Sequence, residues 1–489
     1  MKPEPERASR AKGLQPRTLE IFEDIGIVER ILEGGSLFPR WRSYEGRTLQ
    51  WEKSVYELLG MRISPPAADR RYSETLMIPQ WRTERILRER LRELGVEVEF
   101  GSRLTDFLHD ADGISATIST LRGTERIRCR YLVGADGARS SVRKSLGIPF
   151  TGQTSEGERY VVADVRADAL DNTHWLNWSL PDNPKHRVSM CPLPHSEYFQ
   201  FVAPISADEQ GRELSLSALQ ALFDERCGWS DVALTDLRWI VSHTPNARLA
   251  ERFRKGAVFL VGDAAHSPPT SPGQGFNISI QDAYNLGWKL AAVISGADVS
   301  LLDTYEAERR PVAAGVLGVL AAELVAQGID PDAAKAAQAQ VQSDVFNLNH
   351  NYRGSPLALE RRRRPGAVQA GDRAPDALVC TTEGETGRLF EWFKGPHFTA
   401  LWFNAHRLPA GFPPIARNSD ALRSCLMVPN DDGTRVADVR TIYDVAGVEP
   451  VLLLIRPDGY VGLCADTDLS REWRDALGLF LPTVAHVLT

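Results

Sequence analysis

Ala257-Val258-Phe259-Leu260-Val261-Gly262-Asp263-Ala264-Ala265-His266 is the stretch whose reading decides the fold. It opens with an uncharged run of apolar residues, several of them β-branched or aromatic. Such a run reads as a buried strand of an α/β sheet. Gly262 permits a sharp turn at the strand's carboxyl end. Asp263 therefore stands at the mouth of the sheet, where α/β folds bind ligands. The residues from Ser267 to Asn277 are rich in Pro and Gly, which argues for a loop that brings bare backbone to the surface. From Ile278 to Ala292 the pattern is helical, with Ile280, Ala283, Tyr284, Gly287 and Leu290 on one side. Amides at the start of that helix suit an anionic or electron-rich group.

A second motif lies upstream, at Arg130-Tyr131-Leu132-Val133-Gly134-Ala135-Asp136-Gly137-Ala138-Arg139-Ser140-Ser141-Val142-Arg143. It reads as a buried strand, a Gly-x-Asp-Gly turn and a basic helix start. Asp136 can cap that helix and also hold a ligand hydroxyl.

Composition narrows the class. The chain has 489 residues, which allows two or three domains, each with its own core. Its formal net charge of −7 argues against nucleic acid as a main partner. Cysteines at 129, 191, 227, 380, 425 and 464 contain no CxxC pair, so neither a disulfide framework nor a zinc site is indicated. That usage suits a reducing cytoplasm. No apolar run reaches the ~20 residues that a membrane helix needs. The N-terminus lacks the apolar core of a signal peptide.

The rest of the chain alternates in character. Arg17 to Leu32 predicts one helix, and Thr83 to Leu94 another. Val96 to Phe100 predicts a strand, and Ile114 to Ile118 with Arg126 to Cys129 a hairpin. Between Glu158 and Arg248, strands are expected at 160–165, 187–190, 198–202 and 238–241. His195, Tyr198, His243 and Arg248 are candidates to touch a substrate there, although no acid–base pair stands out. A helical stretch follows to about His350. Arg361-Arg362-Arg363-Arg364-Pro365-Gly366 reads as a solvated linker. The tail is α/β, with a hairpin at Asp458-Gly459.

Gly262-Asp263-Ala264-Ala265-His266, Gly273-Gln274-Gly275-Phe276-Asn277 and Gln281-Asp282-Ala283-Tyr284-Asn285-Leu286-Gly287-Trp288-Lys289-Leu290 resemble the second flavin motif of the FAD-dependent aromatic hydroxylases. These are single-component flavoprotein monooxygenases with the p-hydroxybenzoate hydroxylase fold. Phenol hydroxylase and the polyketide hydroxylases are in this family, and the Asp136-Gly137 turn resembles its Asp-Gly motif. The resemblance implies that Asp263 holds the ribitol of FAD. It also implies that the backbone of Gly273, Gln274, Gly275, Phe276 and Asn277 lies against the flavin. Asp136 and Gly137 would support FAD and the passing nicotinamide cofactor. Arg10 would reach the phosphates and Gln80 the flavin ring.

The implied fold class is α/β (α+β overall). A Rossmann-like FAD domain (1–35, 76–157 and 249–355) interleaves with a mostly antiparallel substrate sheet (36–75 and 158–248). A linker (356–369) leads to a thioredoxin-like domain (370–489), whose Cys464 has no redox partner. The implied reaction is hydroxylation of a phenolic or polyketide ring by a flavin C4a-hydroperoxide, with O2 and NAD(P)H as co-substrates. No metal, nucleic acid or membrane is implied, and a homodimer is open. An epoxidase or oxidase on the same scaffold, or a flavin-deficient binding protein, are the alternatives. Two departures qualify the match. No GxGxxG unit stands before Arg10, so the chain as given is expected to hold little FAD. Thr270 stands where many relatives have proline.

Overall fold

A computed structural model describes residues 4–5, 7–61, 67–110, 113–154, 159–180, 182–205, 214–267, 274–326, 329–380, 386–404, 422–427, 439–445 and 450–466. The predicted helix over 17–32 is two helices, α1 (Pro16–Asp24) and α2 (Val28–Gly34). They are separated at Gly26, whose φ of +76° no helix accepts. Phe22 and Ile31 from this pair pack on Leu14, Ile78 and Ile86. A hairpin follows, β1 (Trp41–Glu45) and β2 (Thr48–Lys53). Helix α3 (Gln80–Glu93) starts slightly earlier than its apolar pattern suggests.

The strand expected at 96–100 does not form. Its alternating valines fit a pleated surface, but a strand exists only where a neighbour accepts its hydrogen bonds. None is present among the described residues, and Val96 and Val98 stand 52% and 47% exposed. The predicted hairpin at 114–129 is found within a three-stranded antiparallel sheet, β3 (Arg103–Asp110), β4 (Gly113–Thr120) and β5 (Gly123–Cys129). Then β6 (Leu132–Gly134) runs into the Asp136 turn and a short helix, α4 (Ser141–Ser145).

The largest sheet among the described residues gathers its strands from separate parts of the chain. It contains β7 (Arg159–Arg166), β8 (Trp175–Leu180), β9 (Asn183–Pro192), β10 (Tyr198–Ile205) and β11 (Thr235–His243). With the first hairpin, the order is β11-β7-β10-β9-β8-β1-β2. One face packs Phe199, Phe201, Ala163, Val165 and Met190 under helix α5 (Leu216–Cys227). Strand alternation sends the intervening residues to the opposite face, where Gln200 meets Lys12 and the Ser9 carbonyl.

The opening motif forms as expected. β12 (Val258–Leu260) is fully buried and pairs in parallel with β6, Leu260 opposite Gly134. The outer edge of β6 has no partner among the described residues, and Val133 is 40% exposed. Helix α6 (Gly275–Ile294) follows, longer than its predicted span, and then α7 (Asp303–Leu317).

The stretch read as a linker belongs instead to the C-terminal sheet. β13 (Leu359–Glu360) pairs with the last described strand. Arg362 is buried, held by Glu360 and the Val368 carbonyl, while its three neighbours in the arginine run stay exposed. The sheet continues with β14 (Phe398–Phe403), β15 (Leu422–Met427), β16 (Val451–Ile455) and β17 (Val461–Asp466), in the order β13-β17-β16-β14-β15. The predicted hairpin joins β16 to β17. Phe398, Trp402 and Leu454 pack toward Trp288 of α6, so the unit is seated on the body of the protein. Cys464 is buried within it.

Candidate active site

The turn after β12 is built by residues that follow it in sequence. Gly262 has φ +59°, and a Cβ there would stand 3.0 Å from Ser279 of α6. Its amide donates to Asp282 Oδ2 at 3.1 Å. The same carboxylate binds His266 Nε2 at 2.6 Å and Arg309 Nε at 2.8 Å, all within dry protein. Burial alone would raise the Asp282 pKa, but His266 and Arg309 hold it below the usual range. Asp282, His266 and Arg309 are thus the brace of the turn. Their motif was visible in the sequence, but no spacing rule linked Arg309 to it.

This brace leaves Asp263 outside. Its side chain is open to solvent, yet the surrounding protein pushes its pKa up by desolvation, against the pull of His266 and Arg10. Arg10 is near enough to act on it, and its guanidinium stands 5.3 Å from the centre of the Trp239 ring. His243 shares the space, its pKa lowered by burial and then by Arg10. Residues from three distant parts of the chain therefore converge here.

The remaining expected residues divide by what their side chains do. Asp136 Oδ2 accepts from Ser141 N at 2.7 Å, Val142 N at 3.1 Å and Ser141 Oγ at 2.9 Å, so it caps α4. Gly137 has φ +78°, with no atom within 4 Å of where a Cβ would stand. Gln80 accepts from Ala11 N at 3.1 Å and donates to Glu84 at 2.8 Å, fixing the segment that carries Arg10. Asn277 is fully buried and ties α6 to the start of α1 through Gln15 N (2.9 Å), Thr18 Oγ1 (2.7 Å) and Gly13 O (3.0 Å). Gln274 is buried before α6, with Nε2 3.4 Å from Asp344 O. Gly275 begins α6, and Phe276 packs beside the α1–α2 core. Gly273 and Thr270 lie outside the described residues.

Of the four substrate candidates, His243 lies near Arg10 and Asp263. His195 bonds Gly35 O, Tyr198 bonds Asp236, and Arg248 bonds Phe150 O and Thr154. No group of metal ligands occurs among the described residues, and none of their helices is long and apolar enough to cross a membrane.

These residues fit a flavin dinucleotide. A guanidinium is available for phosphate, an exposed carboxylate for a sugar hydroxyl, and a glycine turn leads into the latter. Residues 2–318 match the family model described as "FAD binding domain". The chain belongs to that family, and it is a flavin-dependent aromatic monooxygenase whose cofactor is FAD. It is 43% identical over 462 residues to a flavin-dependent monooxygenase of Mycobacteroides abscessus, covering 94% of this chain and 90% of that one. It is 32% identical to the 12-dehydrotetracycline 5-monooxygenase/anhydrotetracycline 6-monooxygenase of Streptomyces rimosus, covering 96% and 92%. Its fold is similar to the ternary complex of aklavinone-11 hydroxylase with FAD and aklavinone, with TM-score 0.77 and 26% identity over 98% of this chain and 93% of that one.

Proposed function

We propose that the protein hydroxylates a phenolic or polyketide aromatic ring, using NAD(P)H and O2. The observation that carries this reading is the convergence of Arg10, His243 and Asp263 beside the buried polar face of the substrate-side sheet. Reduced FAD, when bound, supplies activated oxygen to an electron-rich ring. The chain's own part is to hold and screen the reactants. Arg10 would offer charge to the phosphates, and Asp263 would accept from a ribitol hydroxyl. The first turn of α6 would supply backbone dipoles that favour negative charge on a flavin ring held beside it. Trp239 and the sheet behind it would help to keep water from the ring to be oxidised. The C-terminal unit is thioredoxin-like but structural, since a buried Cys464 cannot run a dithiol cycle.

The test is reconstitution with FAD, followed by NADH or NADPH oxidation with anhydrotetracycline or a simple phenol under labelled O2. One labelled oxygen atom in a ring hydroxyl is the expected product. Cofactor oxidation that yields only hydrogen peroxide with every aromatic tried would reject the reading.

A further inference from the structure

The amino end of β12 borders a cleft of about 760 Å³, a size that suits a small molecule, roughly 300–1,000 Å³. Leu146, Ile148 and Pro149 give it an apolar wall, and the turn from Glu251 to Gly256 closes it with the start of α7. Asp263 lies past the other end of the strand, roughly 25 Å of extended chain beyond Lys255. The cleft is therefore a place apart from the cofactor turn.

The turn that lines it is firmly tied. Glu306 Oε2 accepts from Phe253 N at 2.7 Å and from Arg254 N at 3.2 Å. Arg254 pairs with Asp303, and its Nε donates to Gly256 O at 2.8 Å. Glu251 N donates to Pro149 O at 3.1 Å, and Arg310 Nε donates to Glu251 O at 3.1 Å. A wall already held in place loses little freedom when a ligand binds.

Arg254, Asp303 and Glu306 are occupied by these bonds, but two cations of the lining are not. Arg252 is exposed, and its guanidinium has no hydrogen-bond or ion-pair partner among the described residues. Lys255 Nζ donates to Leu146 O at 2.7 Å and meets no carboxylate among the described residues, which leaves further N–H groups for a ligand. The carboxylate of Glu251 is exposed and unpaired among them as well. Two free cations beside an apolar wall match a dianion on a flat body. A phosphomonoester carries both charges on one group, whereas a single carboxylate would leave one cation unmatched.

We propose that this cleft binds a mononucleotide, with its phosphate at Arg252 and Lys255, its ribose hydroxyls donating to Glu251 and its base against Leu146, Ile148 and Pro149. This second ligand site goes beyond the hydroxylase reading and does not depend on it.

The test is calorimetry on the full chain with AMP, and with adenosine and inorganic phosphate for comparison. AMP should bind once per chain. Adenosine lacks the dianion and phosphate lacks the base, so each should bind at least about tenfold more weakly. Arg252→Gln and Lys255→Gln should each weaken AMP roughly tenfold or more. Both side chains are exposed, so the melting temperature should hold. If a variant does not fold, the three ligands compared on the parent decide. No binding at about 1 mM AMP, or phosphate or adenosine binding as tightly as AMP, overturns the proposal. AMP binding undiminished in both folded variants lies elsewhere, the cofactor site included, and overturns it too.

Discussion

The side-chain oxygen of Asn277 accepts the hydroxyl of Thr18 at 2.7 Å, in a fully buried contact between the first turns of α6 and α1. The same oxygen accepts from Gln15 N, and the amide nitrogen donates to Gly13 O. Asn277→Ala strands these groups in dry protein, and the expected loss of stability is about 2–4 kcal/mol. Urea titration of parent and variant measures it. A loss below about 1 kcal/mol would mean that water replaces the amide.

On the proposed function, Asp263 is expected to contribute to cofactor affinity and little to the fold, because its side chain is held outside the Asp282 brace. Asp263→Ala should weaken FAD by about 1.5–3 kcal/mol, roughly ten- to a hundredfold in Kd, with a nearly unchanged melting temperature. Quenching of flavin fluorescence gives the affinity. Equal affinities would remove Asp263 from the cofactor site.

Asp164 should cost stability at neutral pH. Its folded pKa is raised to about 7, whereas an unfolded aspartate titrates near 3.9. Between those values the folded chain keeps a proton that the unfolded chain has lost. Stability therefore falls as pH rises through that window and levels off above it. Asp164→Asn should raise the melting temperature at about pH 8, by a free energy of up to about 4 kcal/mol, and change little at about pH 4. Melts at both pH values check this, and an equal effect at the two would contradict it.

Arg456 joins the C-terminal unit to α7. Its Nη1 and Nη2 reach the Glu308 carboxylate at 2.7 and 2.9 Å, and it also pairs with Asp458. Lys289 of α6 binds the same glutamate at 2.7 Å. Burial would raise the Glu308 pKa, but Arg456 and Lys289 hold it well below the usual carboxylate range. Its contribution is thus complete above about pH 4.3 and fades on acidification toward the depressed value. Arg456→Met leaves two buried carboxylates sharing Lys289, and about 3–5 kcal/mol should be lost at neutral pH. The body and the C-terminal unit should melt earlier together. A variant in which only the C-terminal unit melts early would show that the cluster does not couple them.

The sequence carried the fold where a local pattern had one physical solution. The run 257–261 followed by Gly-Asp could be little but a buried strand and a turn, and the strands of the sheet that contains β7 to β11 announced themselves by alternation. The pattern at 96–100 was equally regular, but among the described residues no strand lies beside it to accept its hydrogen bonds. Gly26 split a helix whose apolar spacing ran straight through it. Arg362 looked like its neighbours in the arginine run because a glutamate two residues earlier carries no signal of burial. The resemblance pointed to Asp263 and Arg10, which the fold brings near each other. The burial of Asp164 was not legible, since an aspartate within a strand reads as solvent-facing. Only the strand register puts the aspartate on a covered face.

The bare edge of β6 has a practical consequence for handling the protein. Val133 projects from a strand whose outer backbone groups have no neighbour among the described residues, and Val96 and Val98 are exposed as well. Such an edge is a template on which an extended segment of another chain can add. Crowded, warm or concentrated solutions favour that addition. Precipitation of a well-folded sample would then reflect strand capture at Leu132–Gly134, and a lysine at position 133 is the simplest way to blunt it.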